Sequence, residues 1–205
     1  MTNEVVIVDY GMANLRSVQK AFEHVGQPAA ISSEPECVAR APKLVLPGVG
    51  AFCDGIARLR ESGLTESIIE YIRAGRPLLG ICLGLQFLFT RSFEDGLFPG
   101  LDIFKGDVVR FVTVPGLKVP HMGWNQLRFR NKVCPLFRGL KEGDAVYFVH
   151  SYYAVPQSPE IIAAEADYPE PFTAAVWLEN IYATQFHPEK SQRVGLTMLK
   201  NFAEL

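Results

Sequence analysis

Near the start of the chain, Val5-Val6-Ile7-Val8 forms a continuous β-branched run that stops at Asp9-Tyr10-Gly11. A run without alternation predicts a strand buried on both faces, as in a parallel sheet, followed by a loop. Leu15, Val18, Phe22 and Val25 then recur at helical spacing, and Gly26 stops them. Ala29-Ala30-Ile31 predicts a short strand, Ser33-Glu34-Pro35 a cap and helix start, and Lys43-Leu44-Val45-Leu46 a third strand. That strand runs into the turn-rich segment Pro47-Gly48-Val49-Gly50-Ala51-Phe52. Helical stripes follow at Ile56, Leu59 and Leu64 and at Ile68, Ile69 and Ile72, closed by Gly75. A fourth strand, Pro77-Leu78-Leu79, leads to Gly80-Ile81-Cys82-Leu83-Gly84-Leu85-Gln86, and Leu85 to Phe89 reads as the helix leaving it. This alternation predicts an α/β fold with a parallel sheet and helices on both faces. Ligands of such sheets bind beyond the carboxyl ends of the strands. Asp9-Tyr10-Gly11, Pro47–Gly50 and Cys82 are therefore expected on one rim.

From Leu101 to Trp177 the pattern changes to short alternating or β-branched runs separated by Gly, Pro and Asp: 106–112, 125–129, 145–149 and 161–164. These predict antiparallel strands added to the parallel sheet. A last strand, Ile181 to Phe186, leads into His187-Pro188-Glu189-Lys190-Ser191, and the closing helix carries Val194, Met198, Phe202 and Leu205 on one face. With no internal repeat or linker, residues 1–205 read as one domain.

The near-neutral charge of −2, with both signs interspersed, argues against nucleic acid and membrane surfaces as partners. Met1-Thr2-Asn3-Glu4 lacks the basic start of a secretory leader, and no apolar run reaches membrane-spanning length. Cys37, Cys53, Cys82 and Cys134 are scattered without a Cys-x-x-Cys pair. Zinc and disulfides are not expected, and a cytoplasmic chain without metal or cofactor is the simplest reading. Cys37, Cys53 and Cys134 read as ordinary small residues.

Cys82 is the candidate nucleophile. Two glycines flank it at a strand-to-helix junction, the pattern of a nucleophile elbow with cysteine in place of serine. Such a strained turn is expected to lift the sulfur out of the sheet toward solvent, where the first N–H groups of the next helix favour the thiolate. The competing reading is a buried structural cysteine. His187 and Glu189 are the natural partners: Pro188 biases His187 to extended backbone, and residues two apart in extended chain face one way. A histidine would shuttle protons and a carboxylate would fix its tautomer. His187 could equally be a hydrogen-bonding residue at a strand end, and Glu189 a first-turn acid of the last helix. His24, His121 and His150 are rival bases. An oxyanion hole is expected from the Leu83 N–H and from the loop holding Val49 and Gly50.

Pro47-Gly48-Val49-Gly50, Gly80 to Gln86 and Gln185-Phe186-His187-Pro188-Glu189, in that order, resemble the class I (triad) glutamine amidotransferases. The resemblance covers essentially the whole chain. It implies a three-layer fold, a largely parallel central sheet flanked by helices with added antiparallel strands. It implies hydrolysis of L-glutamine to glutamate and ammonia through a Cys82 thioester, with Cys82, His187 and Glu189 as the triad. Gly50, Leu83, Gln86, Ser151 and Tyr152 would bind the substrate; Gln86 read alone is equally a solvated helix residue. Three more stretches, Asp9 to Leu15, Pro120 to Asn125 and Tyr147 to Tyr152, are similar to the branch whose members supply ammonia to a (β/α)8-barrel cyclase of histidine biosynthesis. They discriminate against the glutaminases of other pathways, and the intact triad against a non-catalytic binding module. A cysteine peptidase or esterase fits less well with Gln86 and the paired glycines. In that branch Asn14, Met122, Trp124 and Lys190 are candidates for the partner surface; Trp124, placed in a Pro/Gly-bounded loop, is either an interface anchor or a core tryptophan. Ala13 stands where the branch leads one to expect glycine. The Gly48-Val49-Gly50 loop is expected to act as the switch, a peptide flip at Val49 completing the oxyanion hole.

Overall fold

A computed structural model describes residues 5–205; Met1–Glu4, and with them the reading of the chain's start, lie outside the described residues. The main sheet is built from β1 (Val5–Val8), β2 (Ala29–Ser32), β3 (Lys43–Gly48), β4 (Leu78–Cys82), β9 (Arg128–Phe129), β12 (Ile162–Asp167), β13 (Pro171–Leu178) and β14 (Ile181–Thr184). Its eight strands lie in the order β2-β1-β3-β4-β14-β13-β12-β9. The first five in that spatial order are parallel, and β13, β12 and β9 continue the sheet antiparallel. Along β1 the side chains alternate between two cores: Val5 and Ile7 join one hydrophobic cluster, Val6 and Val8 the other. Burial on both faces is why the run shows no polar alternation.

Helices cover both faces. α1 (Leu15–His24) buries Val18, Ala21 and Phe22 against one cluster. α2 (Pro35–Arg40), α3 (Phe52–Glu61) and α4 (Leu64–Arg73) bury Val38, Leu59 and Ile68 in the other. Gly63, at φ +71°, separates α3 from α4, a backbone that residues with a Cβ resist. α6 (Gln192–Ala203) closes the fold with Val194, Met198 and Phe202 inward. Leu205 lies beyond the helix and is exposed, so it is not part of that face. In the loop after β1 the left-handed residue is Gly11, φ +86°, and Ala13 needs no such backbone.

Several boundaries differ from the sequence reading. The helix after Cys82, α5, spans only Leu83–Phe87. The chain turns at Leu88 into β5 (Phe89–Ser92), because the carbonyls of Phe87 and Leu88 accept the N–H groups of Leu101, Ile103 and Phe104 instead of continuing a helix. Together with β6 (Phe98–Pro99), β7 (Phe104–Arg110) and β11 (Tyr152–Pro156), β5 forms a separate four-stranded sheet in the order β11-β7-β5-β6. In it β5 and β7 are parallel, so the second half is not purely antiparallel. The expected strand 106–112 ends at Arg110, and Val112 is exposed. The run 125–129 is split: β8 (His121–Gln126) pairs with β10 (Ala145–His150) in a two-stranded sheet, and β9 joins the main one. Buried Leu127 lies at the break. Trp124 therefore stands on a strand, not in a loop. The last strand stops at Thr184, and Ser33 does not cap α2, whose cap position is Glu34.

Candidate active site

Strand register assembles the site. β4 lies between β3 and β14, with Gly48 opposite Cys82 on one side and Thr184 opposite Ile81 on the other. The loop after β3 and the chain after β14 therefore both leave the sheet beside Cys82. Cys82 has φ 55° and ψ −107°, a backbone that non-glycine residues rarely adopt. The two glycines explain the tightness. A Cβ at Gly84 would overlap the Leu46 carbonyl, and one at Gly80 would lie 3.0 Å from the Gly84 oxygen.

Cys82 is only 7% exposed, so its sulfur is not lifted to open solvent as expected. It lines a cleft of about 270 Å³ with Val49, Gly50, Leu83, Gln86, Glu94, Ser151, Tyr152, His187 and Lys190. The walls, formed by the β3 loop and the start of β11, cover it. All five expected substrate-binding residues and both expected oxyanion-loop residues line this cleft. Leu83 is the first residue of α5, so its N–H has no partner within the helix.

His187 Nδ1 lies 2.8 Å from Glu189 Oε1, and both side chains are almost fully buried, at 2% and 1% exposure. The pair does not arise from extended chain, as the spacing implied. His187 is extended (φ −98°, ψ 100°), but Pro188–Lys190 is a 3-10 turn that folds Glu189 back onto the ring. Glu189 precedes α6 by three residues and faces the interior, so it is not that helix's first-turn acid. Ser191 ties the turn down, donating to the His187 carbonyl at 2.6 Å and accepting the Tyr147 N–H at 2.9 Å. Glycine at 195 lets α6 sit against this turn, since a Cβ there would overlap the Pro188 carbonyl. Burial works against a charge on His187, but Cys82 and then Glu189 outweigh it and raise the imidazole to about 10. His187 Nε2 and Glu189 Oε2 are buried without a hydrogen-bond partner. That leaves the ring held at Nδ1 and unpartnered at Nε2, in the cleft that Cys82 also lines.

The rival bases are otherwise occupied. His121 Nδ1 and His150 Nε2 lie 3.1 Å apart and His150 Nδ1 lies 2.8 Å from the Tyr152 carbonyl. Burial lowers His121 to about 4 and His150 to about 3, so both are neutral at pH 7. His24 ends α1, away from the cleft. Cys134 is buried, which pushes its thiol up to about 12; Cys37 and Cys53 are free and do not line the cleft. Asn14, Met122, Trp124 and Lys190 are all exposed. Met122 and Trp124 share one face of β8 at 63% and 50% exposure, which removes the core reading of Trp124. Its ring meets Tyr147 edge-on at 6.1 Å, and the Tyr147 carbonyl accepts the His187 N–H.

Two residues of the site were not singled out from sequence. Glu94, in the loop after β5, lines the cleft and accepts the Phe52 N–H at 2.7 Å. Burial raises this carboxyl, and the Phe52 N–H partly offsets that. Gln185, fully buried, donates to Cys82 Sγ at 3.7 Å. Gln185 opens the motif that holds His187 and Glu189; Glu94 had no local signal.

A family profile described as Glutamine amidotransferase class-I matches residues 6–205. The chain belongs to the class-I glutamine amidotransferase family. Its relatives place this amidotransferase in the HisH branch. It is 56% identical to "Imidazole glycerol phosphate synthase subunit HisH" of Syntrophotalea carbinolica, over 98% of this chain and 100% of that protein. The same-named subunit of Geobacter sulfurreducens is 53% identical over 98% and 99%, and that of Aquifex aeolicus 50% over 96% and 94%. Among solved structures, PurLQS from Thermotoga maritima superposes with a TM-score of 0.77 at 19% identity, covering 100% of this chain and 99% of that one. A crystal structure described as a glutamine amidotransferase gives 0.73 at 20%, covering 98% and 99%. These likenesses show that the amidotransferase has the α/β fold of its family. Among its described residues no helix is long and apolar enough to cross a membrane.

Proposed function

We propose that this chain is the glutaminase subunit of an imidazole glycerol phosphate synthase, a cytoplasmic one-domain enzyme that acts as a heterodimer with a (β/α)8-barrel cyclase, HisF. The carrying observation is that Cys82 and His187 line one cleft at the carboxyl ends of β4 and β14, with buried Glu189 bonded to the far nitrogen of the His187 ring. Cys82 attacks the side-chain amide carbon of glutamine, and the oxyanion is received by the N–H of Leu83 and N–H groups of Val49 and Gly50. His187, charged in the resting pair, gives its proton to the departing nitrogen as the C–N bond breaks, releasing ammonia. It then takes a proton from water, which attacks the thioester and frees glutamate. Glu189 holds the ring and stabilises its charge. Glu94 supplies the negative charge for the substrate's α-ammonium, while Gln86, Ser151 and Tyr152 position the amino-acid end. Ammonia passes to the cyclase, which converts PRFAR to imidazole glycerol phosphate and AICAR. Asn14, Met122, Trp124 and Lys190 face that partner, and a peptide flip at Val49 switches the glutaminase on.

The test is Cys82→Ala in the reconstituted complex. Glutamine-dependent product formation should fall by several orders of magnitude, while ammonium-dependent formation persists; survival of both overturns the mechanism. The same variant, crystallised with glutamine and a liganded cyclase, should show the Val49 N–H facing the amide oxygen. An N–H pointing away removes the switch.

A further inference from the structure

Gln185 is fully buried and has no part in the triad, yet its side chain joins the sulfur to the pocket floor. Gln86 Nε2 donates both to the Tyr152 carbonyl and to Gln185 Oε1, each at 3.1 Å. Turning the Gln86 amide over would set its oxygen against two other oxygens, so its orientation is fixed. Gln185 must then present its oxygen to Gln86 and its NH2 to Cys82, 3.7 Å from Sγ. From the other side, the Tyr152 carbonyl can only accept, so His150 Nδ1 carries the proton and its Nε2 accepts from His121 Nδ1. His121 Nε2 in turn accepts from Asn125 at 3.3 Å. Every donor in the chain from Asn125 to Cys82 thus has one direction, and the two arms meet on one carbonyl.

We propose that Gln185 is the hydrogen-bond donor that stabilises and orients the Cys82 thiolate, and that Gln86, itself fixed by the Tyr152 carbonyl, locks it in that role. A hydrogen bond to the charged form of a group favours that form. A neutral amide does this without competing with His187 for the transferred proton. The alternative, a core glutamine that merely satisfies its neighbours, leaves the sulfur unchanged when Gln185 is replaced. The inference rests on Cys82 being the nucleophile, but its test needs no glutamine turnover.

The experiment is the pH–rate profile for alkylation of Cys82 by iodoacetamide, measured on the complex with Cys37, Cys53 and Cys134 replaced by serine or alanine. In Gln185→Leu the acid limb should move about one pH unit alkaline, the size expected for loss of one modest hydrogen bond to a charged acceptor, with the alkaline plateau retained. Gln185→Glu keeps the acceptor for Gln86 and places a carboxyl oxygen against the sulfur; its shift should be larger. Glutamine kcat should fall about ten-fold in Gln185→Leu, with an unchanged melting temperature of the isolated subunit and unchanged affinity for the cyclase as the check on folding. If both folded variants give the unaltered profile, the proposal is overturned. If instead Cys82→Ala still consumes glutamine, it is the nucleophile assignment that fails.

Discussion

The side chains of the cleft owe their behaviour to their neighbours more than to burial or identity. His187 and His150 are both buried histidines beside the same pocket, yet they are displaced in opposite directions. His187 has Cys82 and Glu189 to favour its charge, whereas the neighbours of His150 are a carbonyl and a second histidine. The consequence for stability follows from linkage. His121 and His150 stay neutral in the folded chain down to about 4 and about 3, but in the unfolded chain they take up protons below about 6.5. Between those limits the unfolded state binds more protons, so stability falls as pH is lowered. His121→Gln should flatten this slope by about one proton, or ~1.4 kcal/mol per pH unit. Urea unfolding midpoints at pH 7.5, 6.0 and 4.8 read this out, and an unchanged slope would mean that His121 already titrates normally. None of this was legible in sequence. His121 and His150 were rival bases there, because a histidine's role depends on partners that the strand register supplies.

At the scale of elements, the parallel half of the fold was the most readable. β1, β3 and β4 are buried on both faces, so their apolar runs carry the signal, and glycine marks the breaks. Helix α5 was misread, because Phe87, Leu88 and Phe89 are as apolar as a helix or a strand would require. What decides there is the carbonyl pairing of Phe87 and Leu88 with Leu101, Ile103 and Phe104, a contact no local pattern encodes. The turn at Pro188–Lys190 makes the same point. Spacing predicted that His187 and Glu189 meet, but not that α6 fixes the turn through the gap left at Gly195. Gly195→Ala should push the turn off the helix, at a cost typical of core overpacking, about 1–3 kcal/mol. Glutamine hydrolysis is then expected to drop at least ten-fold, with ammonium-dependent synthesis in the complex retained. Loss of cyclase binding by the variant as well would point to general misfolding instead.

For the whole molecule, the remaining question is what the exposed face of β8 meets. Met122 and Trp124 stand side by side on a strand whose partner, β10, carries Tyr147 into contact with the backbone of His187. Large exposed apolar side chains, here one strand away from the backbone of His187, suit an interface anchor. Trp124→Ala should weaken binding of the cyclase by about ten-fold or more, measured by titration calorimetry, without altering the melting temperature of the isolated subunit. Unchanged affinity would remove Trp124 from the interface. Sequence placed this residue in a loop, since Pro120 and Gly123 read as breakers; pairing across β8 and β10 overrode them.

The contact between Gln185 and Cys82 spans 103 positions of chain. During synthesis the elbow emerges well before His187, Glu189 and Gln185, all of which arrive with or after β14. Until β14 docks between β4 and β13, the thiol has neither its proton shuttle nor its hydrogen-bond donor. A partly made chain is therefore a poor glutaminase, and no ammonia is spilled before there is a complete cleft to produce it.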